Sequence, residues 1–242
     1  MLSKILKQYE EKCGKFTIDF DKDCKTYIYT ERFTAEPLST DKNQFQDFPI
    51  EFQKLHECVF SDTNVMEKFA TGKVKSEQEF EQTVALQSLR WSHGYPFAGF
   101  IVTETDTDTV VGYEQIGNSN KQNTGEVAYL FSTYKRSDTK KYVGLENVGA
   151  LILGYGMELA KKQALVNQLY DDKSDTFTEG TVFSKAYATA RTDNIGSQKI
   201  LEYLGFAKTD IVNKYGHQRH EFELDYTDLS GDGMTVIVNG LT

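Results

Sequence analysis

The sequence predicts an α+β fold in which helices pack against a central, mixed and mostly antiparallel sheet, and three observations carry that prediction. Short runs of alternating apolar and polar residues, such as 98–104 and 109–116, recur along the chain and read as strands. Segments with apolar residues at helical spacing stand between them, Val148, Leu151, Ile152, Tyr155 and Leu159 forming the longest. The stretch from Asp193 to Phe206, D-N-I-G-S-Q-K-I-L-E-Y-L-G-F, spells out both ends of a helix. Asp193 or Asn194 can cap its start, and Gly205 sits where a left-handed C-terminal cap is wanted.

From the N-terminus, Leu2, Ile5, Leu6 and Tyr9 mark a short amphipathic helix. Phe16, Ile18 and Phe20, then Tyr27 and Tyr29, read as brief strands on either side of a polar D-K-D-C-K turn. Residues 52–70 read as helical, with an interruption near Ser61 and Asp62. Ser76 and Glu79 make a capping box, and the helix they open runs to about Trp91. The strands 98–104 and 109–116 form a hairpin across D-T-D-T. A polar loop at 118–124 leads into a strand from Gly125 to about Thr133. In the long helix that follows, Gly154 and Gly156 permit close packing on the sheet. Residues 171–180 read as an acidic loop, 182–190 as a strand, and 206–212 with 221–226 as a final hairpin across N-K-Y-G. The tail G-D-G-M-T-V-I-V-N-G-L-T ends in a short apolar strand that needs an edge to pair with. With no internal repeat and no proline-rich linker, the 242 residues read as one compact domain.

Composition narrows the function. A net charge of −9 argues against nucleic acid and mildly favours a cationic partner. No run is long enough to span a membrane, and the opening M-L-S-K-I-L-K-Q-Y-E-E-K carries too many charges for a secretory signal. Cys13, Cys24 and Cys58 are an odd count without C-x-x-C spacing, which suits free thiols in a reducing cytoplasm. His217 and His220 lie in a hairpin without further ligands nearby, so no metal is expected. Nothing resembles G-x-S-x-G, which leaves hydrolase chemistry without support.

Several stretches in correct order resemble the GNAT superfamily of N-acetyltransferases, and within it the branch that acetylates ribosomal-protein alanines. T-E-R-F-T-A-E-P-L at Thr30–Leu38 is similar to that branch's opening strand. D-T-N-V-M-E-K-F and W-S-H-G-Y resemble its helical segments, and F-I-V-T-E with V-V-G-Y-E-Q-I-G its second and third strands. G-E-V-A-Y-L resembles its fourth strand, and Asp193–Phe206 the helix that closes the acyl-CoA site. The resemblance covers 30–226, leaving 1–29 as an N-terminal extension and 227–242 as a C-terminal tail. It implies transfer of an acetyl group from acetyl-CoA, a co-substrate, directly to a primary amine on a protein N-terminus or a small molecule. The alternative is a catalytically weak GNAT-fold module that binds ligands or protein partners.

The resemblance also implies site residues. The pantetheine arm should lie between splayed fourth and fifth strands, against backbone groups of Phe131, Ser132 and Thr133. Glu126 is the first candidate for general base and Glu114 on the third strand the second, each with the alternative of an ordinary strand residue. Asn194 is expected at the pantetheine or thiol, a role compatible with helix capping. Ser197 either faces the sulfur or is a small residue that allows close packing. The tyrosine that many members carry seven residues after the asparagine is Leu201 here. The glycine-rich phosphate loop is replaced by K-R-S-D-T-K-K-Y-V-G-L-E-N-V-G, in which only Gly144 suits the pattern. Arg136, Lys140 and Lys141 either contact the phosphates in place of the lost backbone amides or form a solvated charged loop. The tail or the N-terminal segment is expected to shape an acceptor groove or a homodimer contact.

Overall fold

The computed structural model describes residues 15–21, 25–40, 49–132, 143–171, 173–227 and 237–239. Period-2 segments become ten strands of one sheet. They are β1 (Phe16–Phe20), β2 (Thr26–Thr30), β3 (Phe33–Pro37), β4 (Gly99–Glu104), β5 (Thr109–Asn118), β6 (Thr124–Phe131), β11 (Lys185–Arg191), β12 (Ala207–Lys214), β13 (His217–Asp225) and β14 (Ile237–Asn239). Their order across the sheet is β12-β13-β11-β6-β5-β4-β3-β2-β1-β14. Two neighbouring pairs are parallel, β6 with β11 and β1 with β14. The other neighbours run antiparallel.

The tail finds the edge it needs, since Ile237, Val238 and Asn239 pair with Thr17, Ile18 and Asp19 of β1. Residues 16–20 and 26–30 are joined to the domain through the sheet as well, because β1 and β2 extend it, while the helix expected over Leu2, Ile5, Leu6 and Tyr9 lies outside the described residues. Four shorter strands, β7 (Leu165–Val166), β8 (Tyr170–Asp171), β9 (Thr176–Phe177) and β10 (Thr181–Val182), lie in the connection before β11. The expected strand over 182–190 is therefore divided at Phe183. Its N–H donates to the Ala164 carbonyl and its ring is buried against Phe97 and Tyr226. The acidic loop at 171–180 contains the pairing of β8 with β9.

Side-chain caps open three of the helices, at Asp62, Ser76 and Asn194. α1 (Ile50–Leu55) continues through a π-helical turn, His56–Phe60, and stops at Ser61, as the sequence suggests. Asp62 caps α2 (Thr63–Met66) by accepting from Asn64 and Val65 N–H. The Ser76–Glu79 capping box opens α3 (Glu77–Ser92). α4 (Val143–Gly149) runs through a second π-helical turn, Ala150–Gly156, into α5 (Met157–Lys161). The glycines of that turn do permit close approach: a Cβ on Gly154 would stand 2.5 Å from the Phe16 ring, and one on Gly156 would overlap the Tyr226 hydroxyl.

α4 is pinned to the turn between β2 and β3 by Arg32, whose Nε and Nη2 donate to Glu146 Oε2 at 3.0 and 2.8 Å. Glu146 Oε1 accepts from the Arg32 backbone N–H at 3.2 Å, and the Glu146 side chain is 3% exposed, so this pair locates the helix rather than decorating the surface. α6 (Ile195–Tyr203) follows β11. One core lies between the sheet and α4–α6, the other between the sheet and α1–α3.

Candidate active site

Each strand follows its outer neighbour, and this opens the sheet. β6 pairs with β5 from Asn118↔Gly125 to Gly112↔Phe131. β11 pairs with β13 from Lys185↔Asp225 to Arg191↔Arg219. Between them β6 and β11 share three register pairs, Lys185↔Thr124, Ala186↔Gly125 and Tyr187↔Glu126, and then part. Glu126 therefore stands at the closed end of a widening slot. The Ser132 N–H is taken by the Val111 carbonyl at 2.8 Å, so the sheet uses it rather than leaving it for a ligand. Alternation along the strand then turns the backbone groups of Tyr129 and Phe131 toward the slot. Thr133, Arg136, Lys140 and Lys141 lie outside the described residues.

The helix-side wall of the slot comes from α4 and α6. Asn194, not Asp193, caps α6, its Oδ1 accepting from Ser197 N–H at 3.3 Å. Asp193 is drawn off by Arg191, which donates to its carboxylate at 2.9 and 3.0 Å. Ser197 Oγ lies 2.7 Å from the Tyr129 hydroxyl, bridging β6 and α6. Burial pushes the Tyr129 phenol well above its usual range, so it is a protonated donor at neutral pH. A Cβ on Gly144 would meet Ile200 Cδ1 at 3.0 Å and the Phe131 ring at 3.6 Å. Gly144 thus lets α4 approach α6 and β6 closely. Leu201 is 1% exposed and belongs to the core.

The other face of the same strands is polar. Ala186, Ala188 and Ala190 of β11 point into the α4–α6 core with Phe222 and Leu224 of β13. Alternation places Tyr187, Thr189, Arg219, Glu221, Glu223 and Glu126 on the opposite side. There Lys214 Nζ donates to Glu126 Oε1 at 2.7 Å. Tyr187 donates a short hydrogen bond to Glu221 Oε1. Lys121 Nζ, 4.2 Å from the Tyr187 ring centroid, donates to Glu223 Oε1 at 2.5 Å and Glu221 Oε2 at 3.3 Å. Arg219 donates from Nε and Nη2 to Thr189, while its buried Nη1 has no hydrogen-bond partner. Sequence reasoning missed these neighbours. The signal was present in K-A-Y-A-T-A-R, where alanines alternate with polar residues over the whole of β11.

The two candidate glutamates part company. Glu114 pairs across strands with Phe100 and Tyr129, on the helix side of the sheet. It is fully buried, and neither carboxylate oxygen has a hydrogen-bond partner. Burial pushes its carboxyl up to about 8. Glu126 is instead about a quarter exposed, on the polar face.

Among the described residues no group of three or more His, Cys, Asp or Glu is placed to hold a metal ion, and no helix is long and apolar enough to cross a membrane.

No protein-family model and no curated protein matches this sequence. Solved structures do. The GNAT-family acetyltransferase from Bacillus anthracis matches with a TM-score of 0.57 at 17% identity, over 83% of this chain and 99% of that one. A ribosomal-protein-S5-alanine acetyltransferase from Vibrio fischeri gives a TM-score of 0.57 at 11% identity, over 84% and 97%. Spermidine N-acetyltransferase from Vibrio cholerae, solved with CoA and spermine, gives 0.53 at 10% identity, over 81% and 96%. The fold is that of the GNAT acetyltransferases.

Proposed function

We propose that this GNAT-fold chain is an N-acetyltransferase that moves an acetyl group from acetyl-CoA directly to a primary amine. The observation that carries the reading is the slot between β6 and β11, closed at Tyr187↔Glu126 and walled by the Asn194-capped start of α6. A slot bounded by backbone edges suits an amide-bearing arm such as pantetheine, and it separates a helix side from a polar face where an acceptor can approach. Acetyl-CoA supplies the activated thioester; the chain supplies positions.

In this reading Glu126 takes the proton of the acceptor ammonium, directly or through water. Backbone N–H groups of β6 that face the slot stabilise charge on the thioester oxygen. Tyr129, held by Ser197, donates a hydrogen bond to the departing sulfur as charge develops on it, and so takes the place for which Leu201 is unsuited. Tyr129→Phe should lower kcat by about tenfold to a hundredfold, toward the low end of acid–base contributions, with acetyl-CoA affinity little changed. An unchanged kcat would remove Tyr129 from the chemistry.

Arg136, Lys140 and Lys141 act on the phosphates of CoA, and Asn194 on the thiol end of the arm. Replacing Arg136 and Lys141 together with Ala should weaken CoA binding several-fold by calorimetry; equal affinity would return them to a solvated loop. The acceptor is a protein N-terminus or a small amine, and the location is cytoplasmic. The edge strand β14 offers a backbone edge for a homodimer, which light scattering on the purified chain would detect.

Calorimetry with acetyl-CoA and with free CoA tests the reading as a whole. Micromolar binding of both supports it. No binding at millimolar ligand leaves a GNAT fold without its co-substrate and overturns it.

A further inference from the structure

We infer that Lys214 is a self-acetylation site, and that its acetylation releases Glu126 for an external amine. The inference rests on the reading of Glu126 as the base. Lys214 ends β12, where the hairpin turns through Tyr215 and Gly216 at φ of +59° and +80°. That turn fixes the backbone of Lys214 beside the polar face. Its ammonium lies 2.7 Å from Glu126 Oε1, with the Tyr187 and Tyr215 ring centroids 5.6 and 5.1 Å away.

A primary ammonium on the carboxylate that deprotonates the acceptor occupies the acceptor's own place. Lys121, on the same face, is held by Glu221 and Glu223 and has no such contact. The Lys214 and Glu126 side chains are 27% and 25% exposed, so the pair is sheltered but not sealed from solvent.

The step balances without a further reactant. Glu126 accepts a proton from Lys214 Nζ, and the nitrogen lone pair forms a bond to the acetyl carbonyl carbon. The carbon–sulfur bond breaks, its electron pair leaving with sulfur, which takes up a proton to give free CoA. Of the two protons the nitrogen gives up, Glu126 passes the first to solvent and is a carboxylate again, and the second is the one the sulfur takes up. The acetamide is neutral, so Glu126 loses its ion pair and is left for an incoming ammonium. Acetyl transfer to an external amine then begins with a lag that preincubation with acetyl-CoA removes.

The test uses the full chain with isotopically labelled acetyl-CoA and peptide mass spectrometry over time. Lys214 should be acetylated about tenfold or more faster than Lys161 and Lys185, although those side chains are more exposed, at 46% and 43%. The rate per chain should not depend on protein concentration. Glu126→Gln, checked for folding by circular dichroism, should bring Lys214 down to the background of the other two. Lys214→Arg, which keeps the charge, should retain the slow initial phase after preincubation. If acetyl-CoA binds and an external amine is acetylated while Lys214 reacts no faster than Lys161, the inference is overturned and the enzyme reading stands. If acetyl-CoA does not bind, the enzyme reading falls and takes the inference with it.

Discussion

Glu126→Gln is expected to lower kcat for amine acetylation by about 10²–10⁴, the range in which a positioned acid–base group contributes. At about 1.36 kcal/mol per tenfold, that is about 3–5 kcal/mol of transition-state stabilisation. The amide is nearly the same size and can still accept from Lys214, so packing changes little; what goes is the ability to take a proton. Affinity for acetyl-CoA should hold, because a change confined to the end of the Glu126 side chain leaves in place the backbone edges that bound the slot and the Asn194-capped start of α6. Stability should also hold closely, since an ion pair with both side chains about a quarter exposed contributes about 1 kcal/mol at most. A lowered kcat with unchanged calorimetric affinity separates lost chemistry from lost binding. The deficit should shrink as pH rises and more of the acceptor amine is already deprotonated. A kcat within threefold of the parent chain at pH 7 would mean that solvent, or another group, removes the proton.

Local hydrogen-bond grammar was legible in the sequence, and long-range pairing was not. The Ser76–Glu79 box closes within one turn, so its letters suffice, and α3 begins where they say. The letters narrow the cap of α6 to two adjacent residues, Asp193 and Asn194. Choosing between them required knowing that Arg191, at the end of β11, would take the Asp193 carboxylate. The apolar tail spells a strand in need of an edge but not which edge, because β1 lies more than two hundred residues earlier. The slot depends on how many residues two parallel strands share before each follows its outer neighbour, a property of the assembled sheet. Lys214 and Glu126 are separated by 88 residues, and no local pattern in either strand names the other. The face on which they meet, by contrast, was written in the alternation of K-A-Y-A-T-A-R.

Glu114 should make the protein lose stability steadily between about pH 4.5 and 8, and removing its charge should restore it. Its carboxyl rises from an ordinary 4.5 to about 8 because the charged form would be buried beside Phe100 and Tyr129 with no hydrogen bond to either oxygen. The sign follows from proton counting. In that window the folded chain holds the proton and the unfolded chain has released it, so stability falls as pH rises and levels off above about 8. At about 1.36 kcal/mol per pH unit, the accumulated loss is on the order of 5 kcal/mol, an upper bound because water reaching the site would relieve it. Glu114→Gln removes the titration while keeping the shape, so denaturant unfolding should find it close to the parent at pH 5 and several kcal/mol more stable at pH 8.5. Glu114→Met also removes the orphaned oxygens, and should gain at both pH values, most at the higher one. Parallel stability curves for the parent and Glu114→Gln between pH 5 and 8.5 would show that the carboxylate is solvated or paired in solution. With the predicted divergence, the core behind β5 holds a neutral acid at physiological pH, and Glu126 is left as the carboxylate available to an amine at the slot.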